Sequence, residues 1–160
     1  MMEEIIYREA ITSDLDNLLA LWKATRAEHK DWFEDYKVQK ENVMELMADF
    51  FTECISSKNH ILAVAESGKQ LVGFVLAEIK DFFPPIYIWE KEGIIRNIYV
   101  NPDYRKKGIG EKLMLKAYSF FNDQIDIITV QTSVKNKSAI NFYKKNDLEE
   151  FSMKMYKMVK

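Results

Sequence analysis

The sequence predicts an α/β (α+β) fold in which a mixed, mostly antiparallel central sheet carries helices on both faces. Two apolar, β-rich segments at 60–66 and 70–80 flank the turn residues 67–69 and predict a hairpin. Amphipathic helical periodicity lies on both sides of that hairpin along the chain. A strand at 94–100, followed by a helix and a further strand, predicts one parallel pair within the sheet.

The N-terminal third alternates a strand with two helices. Residues 4–9 read as a short strand, and the N-cap chemistry of 12–14 begins a helix that continues to about residue 28. An aromatic and acidic connection over 31–40 precedes a second helix at about 41–55. The apolar stripes of these two helices are Leu15, Leu18, Leu19 and Trp22, and Val43, Met47, Phe50, Phe51 and Cys54.

The C-terminal half contains the remaining elements. Residues 81–85, which include two adjacent prolines, end the second strand of the hairpin before the strand at 94–100 begins. The further elements predicted are a helix that begins after Gly108, a strand at 125–132, a helix at 136–145 and an alternating strand at 150–159.

Composition predicts a single domain, over residues 1–160, with a core of its own. Of the 160 residues, 48% are hydrophobic and 30% are charged, and no repeat, low-complexity tract or linker divides them. The one cysteine, Cys54, excludes an internal disulfide framework and favours a reducing compartment. Because the N-terminus is acidic and no apolar run is long enough to span a membrane, we expect a cytoplasmic protein.

Charge is divided unevenly along the chain. Residues 1–95 hold 10 Lys+Arg against 18 Asp+Glu, whereas residues 96–160 hold 13 against 7. A positive second half suits a polyanionic ligand, and an acidic first half favours a cationic second substrate over nucleic acid. On charge alone, two ordinary charged surfaces explain the pattern equally well.

The most specific segment combines a strand, a basic turn and a glycine-containing helix entry. After the strand at 94–100, the turn residues 101–103 and the basic triplet Arg105–Lys107 lead to Gly108 and Gly110. The two glycines let the main chain approach a ligand closely, and the helix start directs unpaired N–H groups to the same place. A phosphate or pyrophosphate suits such a site.

The Arg-x-x-Gly-x-Gly segment from Arg105 to Gly110, which follows Ile-Tyr-Val, closely resembles the acyl-CoA pyrophosphate loop of the GCN5-related N-acetyltransferase (GNAT) superfamily. A dinucleotide fingerprint would need a third glycine where this chain has Leu113. The resemblance implies a GNAT-type acyl-CoA N-acyltransferase fold, with acetyl-CoA as cosubstrate and no metal. The coenzyme contacts that it implies are Ile98, Tyr99, Val100, Arg105, Lys106, Lys107, Gly108, Ile109, Gly110 and Glu111.

A second motif, at 136–145, resembles the fourth helix of the same superfamily, in which an asparagine is followed by Ala and Phe-Tyr. On a helix capped near Asn136, the Asn136 amide and the Tyr143 hydroxyl flank one groove two turns apart. The resemblance implies that Asn136 bonds to the coenzyme arm and that Tyr143 lies beside its sulfur. Taken alone, the two residues fit an ordinary N-cap and a core tyrosine. Asn146 would tolerate the left-handed conformation at the helix end, where relatives often have glycine.

Acyl transfer from a thioester to an amine needs a donor for the carbonyl oxygen, a group for the leaving thiolate and a route for the amine proton. In the superfamily the strand before the glycine loop splays from its neighbour, so N–H groups near Ile98–Val100 are the expected carbonyl donors. Tyr143 is the predicted catalytic residue, as a hydrogen-bond donor to sulfur. Full proton transfer from tyrosine to an alkyl thiolate is uphill by about 2 kcal/mol at reference pKa values.

The route for the amine proton is the least defined part of the predicted site. Several relatives place a carboxylate on the strand before the glycine loop, where this chain has Ile94 and Arg96. Glu90 and Glu92 lie just before that strand and are the nearest alternatives, although most such glutamates are simply solvated.

By the same resemblance, the acceptor pocket is formed by residues 31–36 and 81–87. Aromatic faces interleaved with carboxylates would hold an ammonium group by charge and by cation–π attraction. The alternative is a hydrophobic rim that packs in a homodimer. The residues predicted to contact the acceptor are Trp32, Phe33, Glu34, Asp35, Phe83 and Tyr87.

Together these features predict an acetyl-CoA-dependent N-acetyltransferase that acts directly on a primary amine of a small, cationic molecule or peptide. Cys54 lies on an apolar stripe and is a poor covalent nucleophile, and His29 and His60 lack metal-ligand spacing. A non-catalytic acyl-CoA-binding or sensing module of the same fold is the alternative. A nucleic-acid-binding protein is disfavoured because the chain has no extended basic face.

Overall fold

The computed structural model describes residues 4–30, 40–155, 157 and 159. Every element predicted before residue 146 is present, with ends that differ from the predicted ones by a few residues. The elements are β1 (Ile5–Glu9), α1 (Leu15–Glu28), α2 (Val43–Ser56), β2 (His60–Ser67), β3 (Gln70–Asp81), β4 (Lys91–Val100), α3 (Ile109–Phe121), β5 (Ile127–Val130) and α4 (Lys137–Lys145).

The five described strands form one sheet in the order β1-β2-β3-β4-β5. The first three pairings are antiparallel, and β2 and β3 form the predicted hairpin, whose turn places Gly68 in the left-handed region at φ 60°. The β4–β5 pair is parallel, because α3 carries the chain back across the sheet between them. The predicted fold class, a mixed and mostly antiparallel sheet, is confirmed.

Helices cover both faces of the sheet. On one face, α1 and α2 pack through side chains such as Leu18 and Phe51 against Phe74 of β3. On the other face, α3 packs through Leu113 and Phe121 against side chains of β2, β3 and β4. Among the described helices, none combines the length and the apolar composition that crossing a bilayer requires.

The predicted last strand, at 150–159, is wrong for the residues that are described there. Residues 150–155, 157 and 159 lie in no strand, and Phe151, Met153 and Met155 are exposed. An alternating pattern specifies which side chains share a face, but a strand also needs main-chain partners on a neighbouring strand. The described part of the tail has none.

The start of α1 also differs from the predicted capping. Residues Thr12–Asp14 form a 3-10 turn, and the Asp14 side chain does not cap α1. Its carboxylate accepts a hydrogen bond from the Ile11 N–H at 2.9 Å and pairs with both terminal nitrogens of Arg8 at 2.6 and 2.9 Å. Asp14 therefore ties β1 to the helix entry through an ion pair.

Candidate acyl-CoA groove

The glycine loop presents an uninterrupted run of main-chain donors. Lys106 and Gly108 both have left-handed φ angles, of 60° and 76°, and Lys112 donates the first bond of α3, to the Gly108 carbonyl at 3.1 Å. The N–H groups of 106–111 make no main-chain hydrogen bond of standard geometry with a described residue. Such a concave run of N–H groups at a helix start is suited to a phosphate or pyrophosphate.

The two glycines of the motif have different reasons to be glycine. A Cβ added at Gly108 would meet no atom within 4 Å, so the residue is required by its positive φ and leaves open space before the helix. A Cβ at Gly110 would lie 3.0 Å from the ring of Phe142 on α4. Gly108 thus keeps the approach to the main chain open, as predicted for both glycines, whereas Gly110 lets α4 pack against the first turn of α3.

The side chains of the basic triplet are not equally available to a ligand. The Arg105 guanidinium donates to both carboxylate oxygens of Glu28, at 2.9 and 2.7 Å, and to the Val100 carbonyl at 2.8 Å. The Lys107 ammonium donates to the Asp103 carbonyl at 2.9 Å, whereas Lys106 has no hydrogen bond or ion pair with any described residue. Lys106 is therefore the side chain most free to turn toward a bound anion.

The sheet opens beside this loop. The parallel pairing of β4 with β5 ends at Ile95, so the residues of β4 after it have no partner strand on that side within the described chain. The Asn101 N–H bonds to the Val72 carbonyl of β3. Since main-chain groups alternate in direction along a strand, those of Tyr99 face β3 and those of Ile98 and Val100 face the opening. Of the three predicted main-chain contacts, Ile98 and Val100 therefore face the gap.

Asn136 caps α4, and part of its amide is used in doing so. Its side-chain oxygen accepts a hydrogen bond from the Ala139 N–H at 3.0 Å, which leaves the amide nitrogen without a partner among the described residues. At the other end of α4 the left-handed residue is Asp147, at φ 64°, and not Asn146 as predicted. The Leu148 N–H bonds to the Tyr143 carbonyl at 3.1 Å, which completes a Schellman cap.

Tyr143 is the most buried polar side chain of α4, at 9% exposure. Burial raises the pKa of the Tyr143 hydroxyl to about 12, and the hydroxyl has no hydrogen-bond partner among the described residues. Its neighbour Phe142 lies against Gly110, so the packing of α4 on α3 brings the tyrosine toward the loop. A neutral, unpaired hydroxyl is suited to donate a hydrogen bond to a ligand.

The loop between β3 and β4 forms a pocket of about 420 Å³. The Phe82 ring stands nearly perpendicular to Trp89 and Tyr87, with centroids 5.3 and 5.9 Å away. Of the two predicted acceptor contacts in this loop, Tyr87 lines the pocket, whereas Phe83 is 82% exposed and does not. The predicted contacts Trp32, Phe33, Glu34 and Asp35 lie outside the described residues. The pocket is lined by Asp81, Phe82, Pro85, Tyr87, Trp89 and Glu90.

The remaining candidate residues are occupied elsewhere. Burial raises the pKa of the Cys54 thiol to about 11, which keeps it protonated and unreactive. The Glu92 carboxylate accepts a hydrogen bond from the Thr129 hydroxyl at 2.5 Å, and Glu90 is exposed at the far end of β4. In the part of the chain that the structure describes, no three His, Cys, Asp or Glu side chains are grouped to hold a metal ion.

Sequence reasoning missed three features of the site. Glu28 anchors Arg105 from a helix 77 residues earlier in the chain, and no local pattern indicates this pairing. Phe82 and Trp89 form the aromatic pocket, whereas the prediction chose the neighbouring Phe83. Glu78 was placed in a strand without a role, yet a charged residue within an apolar β-run is itself a signal that it has a buried partner.

Comparison with known protein families and sequences agrees with this geometry. Residues 22–147 match the Acetyltransferase (GNAT) family. An uncharacterized N-acetyltransferase of Archaeoglobus fulgidus is 28% identical over 142 residues, which cover 88% of this chain and 90% of that protein. An uncharacterized N-acetyltransferase of Methanocaldococcus jannaschii is 31% identical over 147 residues, which cover 89% of this chain but only 60% of that protein.

Solved structures share the fold at low sequence identity. A protein from Bacillus halodurans superposes with a TM-score of 0.82 at 18% identity, over 96% of this chain and 99% of that one. The aminoglycoside N-acetyltransferase AAC(6')-Iy, in complex with a CoA bisubstrate analogue, gives a TM-score of 0.76 at 14% identity, over 98% and 99% of the chains. A predicted acetyltransferase of Clostridium acetobutylicum, solved with acetyl-CoA, gives a TM-score of 0.76 at 19% identity, over 97% of this chain and 96% of that one.

The family match covers most of the chain, and it includes β4, the glycine loop, α3 and α4. The predicted enzyme class is confirmed by the same matches. The chain belongs to the GNAT family and is an N-acetyltransferase.

Proposed function

We propose that this chain, as a single catalytic domain over residues 1–160, transfers an acetyl group directly from acetyl-CoA to a primary amine. The observation that carries the proposal is the continuity of unpaired main-chain donors, from Ile98 and Val100 in the opened β4 to the N–H run at 106–111. Those N–H groups would donate hydrogen bonds to the acyl carbonyl and to the pyrophosphate of one extended ligand. Solved members of the fold in complex with CoA or acetyl-CoA support this assignment.

The residues of the groove have separate roles in the proposed reaction. When bound, acetyl-CoA would supply a thioester whose carbonyl carbon forms a bond to the amine nitrogen as its bond to sulfur breaks. The sulfur would leave as the thiolate of CoA, and the amine proton would pass to solvent water. The Ile98 N–H would donate to the carbonyl oxygen, where negative charge develops. The Asn136 amide nitrogen is free to donate to the coenzyme arm, and the 106–111 run is free to hold the pyrophosphate.

Tyr143 is the proposed catalytic residue, and its pKa limits what it does. With the Tyr143 pKa at about 12, transfer of its proton to the thiolate of an alkyl thiol of pKa about 8.5 is uphill by roughly 5 kcal/mol. The hydroxyl therefore acts by donating a hydrogen bond to the leaving sulfur and retains its proton through most of the step.

The proposed acceptor is a primary amine of a small, cationic molecule or peptide. The pocket at the β3–β4 loop supports a cationic acceptor, because aromatic rings and the Glu90 carboxylate line it, beside the Asp81 carboxylate that pairs with Lys91. It lies at the end of β4 opposite the glycine loop, roughly 17 Å from the opening at a rise of about 3.3 Å per residue. An acceptor that reaches both places is elongated.

The acceptor assignment is tested by replacing one ring of the pocket. We expect Trp89→Leu to raise KM for long diamines at least five-fold, with little change for a short monoamine, because only the long acceptor reaches the pocket. Steady-state kinetics over a diamine length series measure the difference, with the exposed Phe83→Leu as the matched control. An equal effect of Trp89→Leu on all amines would reject the pocket as an acceptor subsite.

A non-catalytic acyl-CoA-binding module is the second candidate, and the absence of a carboxylate at Ile94 and Arg96 favours it. Single-turnover thiol release separates the two functions. With excess protein, acetyl-CoA and an amine panel, the enzyme releases free CoA and forms acetylated amine. A binding module would be protected against heat by acetyl-CoA without releasing thiol above the rate without protein.

A further inference from the structure

Glu78 is a buried carboxylate in the middle of the sheet that the proposed reaction leaves unused. Its side chain is 7% exposed, on the face of β3 that α1 and α2 cover. The carboxylate pairs with Arg96 of β4, with His60 Nε2 at 3.1 Å and with Lys80 Nζ at 3.4 Å. Burying an ion pair is weak evidence for stability, so its position in the fold is the more informative property.

Arg96 is the extra residue of a β-bulge. Asn97 pairs with Leu76 of β3, and Ile95 pairs with the next residue, Ala77, so Arg96 has no partner in the register. The bulge reverses the alternation of β4. Ile95 packs with α3, yet Tyr99, four residues later, packs on the opposite face.

The bulge also sets the direction of the main chain. Before it, the Phe82 N–H bonds to the Glu90 carbonyl, so the even-numbered residues of β4 face β3. After the bulge, the Asn101 N–H bonds to the Val72 carbonyl of β3, so the main-chain groups of the odd-numbered residues face β3. Without the bulge, the N–H of Ile98 would point at β3 and not into the opening.

Glu78 is poorly suited to accept the amine proton. Burial opposes ionisation of the carboxyl, but the hydrogen bond and charge of Arg96, with those of Lys80, outweigh it and hold its pKa below the ordinary value. The titratable groups that face it are Arg96, Lys80, His60 and, from α2, Cys54. Three of these already contact its oxygens.

We propose that the Glu78–Arg96 ion pair holds the β4 bulge and so aims the Ile98 N–H at the acyl carbonyl. The inference rests on the proposed binding of acetyl-CoA in the groove, and it makes Glu78 and Arg96 positioning residues. Arg96 suits this role because Glu78 is the described side chain to which its guanidinium donates a hydrogen bond. The Arg96 side chain is otherwise 41% exposed to solvent. The pair joins the bulge to the rigid centre of β3.

The test uses acetyl-CoA labelled with ¹³C at the acetyl carbonyl, bound to the protein without amine. Difference infrared spectroscopy reads the hydrogen bond to the carbonyl directly. For the wild type we expect the carbonyl band below its position in solution. For Glu78→Gln and Arg96→Gln we expect it to move back toward that position, with the coenzyme Kd changed less than three-fold and kcat lowered 10- to 100-fold. For Arg96→Lys we expect a carbonyl band between that of the wild type and that of Arg96→Gln.

The matched control is Glu66→Gln, which breaks the Arg8–Glu66 pair, at 2.8 Å, beside the other register shift of the sheet. We expect it to lower thermal stability and leave both the carbonyl band and kcat unchanged. If Glu78→Gln does not fold, Arg96→Gln carries the test, because Arg96 is partly exposed and Glu78 keeps its contacts with Lys80 and His60.

Three outcomes would overturn the inference: a wild-type band at the solution position, variants with an unchanged band, or a Glu78→Gln variant that loses the acidic-limb dependence of kcat/KM on pH. The last would make Glu78 the proton acceptor. A shifted wild-type band without acetyl transfer to any amine would instead refute the proposed function and leave the inference standing.

Discussion

At Tyr143, a single side chain joins helix packing to the proposed chemistry. The side chain is buried, its hydroxyl is unpaired among the described residues, and burial raises the pKa of that hydroxyl to about 12, so it remains neutral at any physiological pH. Tyr118 on α3 provides a contrast, because its hydroxyl already donates to the Asn146 carbonyl at 3.1 Å. The Tyr143 hydroxyl is therefore available to a ligand, whereas the Tyr118 hydroxyl is used in packing.

We expect Tyr143→Phe to lower kcat 10- to 100-fold, since removing one hydrogen bond to a developing charge costs about 1.4–2.7 kcal/mol of barrier. The Kd for acetyl-CoA should change less than three-fold, because sulfur carries little charge before the reaction. Stopped-flow thiol release and isothermal titration measure the two quantities. Tyr118→Phe is the control and should reduce stability by about 1 kcal/mol without affecting kcat. An unchanged kcat in Tyr143→Phe removes the residue from the mechanism.

The Arg8–Asp14 pair makes stability depend on pH. The Arg8 hydrogen bond holds the pKa of the Asp14 carboxyl below its ordinary value in the folded protein. A depressed folded pKa contributes stability above the unfolded value, near 3.9, and that stability is lost as pH falls through the folded pKa. Asp14→Asn should therefore lower the free energy of unfolding by about 1–3 kcal/mol at pH 7.

The difference between the wild type and Asp14→Asn should shrink as pH falls below about 4. Urea unfolding at pH 7, 5, 4 and 3 measures it. Asp16→Asn removes an exposed carboxylate from the same helix start and should show a small effect at every pH. A pH-independent difference for Asp14→Asn would mean that the ion pair does not contribute as described.

At the scale of elements, the glycine loop joins three pieces of structure. Gly108 opens the start of α3, Gly110 admits the Phe142 ring of α4, and Arg105 fixes the loop to the end of α1 through Glu28. The hydrogen bond and charge of Glu28 raise the pKa of the Arg105 guanidinium, and those of Arg105 lower the pKa of the Glu28 carboxyl, so the pair is ionised throughout the physiological range. The loop is held in shape before any ligand binds.

We expect Gly108→Ala to lower mainly the affinity for acetyl-CoA and Gly110→Ala to lower mainly the stability of the fold. Alanine at 108 adopts a left-handed φ at a cost of about 1–2 kcal/mol and places a methyl group in the open approach, so acetyl-CoA affinity falls more than stability. A methyl group at 110 lies 3.0 Å from the Phe142 ring, which must move by a few tenths of an ångström, so we expect stability to fall first and Phe142→Leu in the same chain to restore part of it. Calorimetric unfolding and coenzyme titration give both quantities. Identical profiles would contradict the division of roles.

The sequence was most predictive where a local pattern has one physical solution. The donor loop and the capped α4 follow from turn residues, glycines and helical spacing, all within short segments. The Glu28–Arg105 pair and the Glu78–Arg96 pair could not be predicted, because each joins residues that are distant in sequence and meet only after folding. The tail at 150–159 has a strand pattern but no partner among the described strands, and pairing is not encoded in alternation alone.

For the whole molecule, the proposed site joins the sheet opening to the two motif helices, which meet where the Phe142 ring of α4 lies against Gly110 of α3. The groove thus depends on tertiary contacts such as Gly110 with Phe142, and not on the loop alone. The acidic first half and the basic second half of the chain are consistent with a cationic acceptor and a polyanionic donor.

A crystal structure with acetyl-CoA tests the central claim most directly. The account predicts the pyrophosphate on the N–H groups of 106–111, the acyl carbonyl at hydrogen-bond distance from the Ile98 N–H, and the sulfur beside the Tyr143 hydroxyl. A coenzyme bound outside the β4–β5 opening, or one whose sulfur lies away from Tyr143, would contradict it.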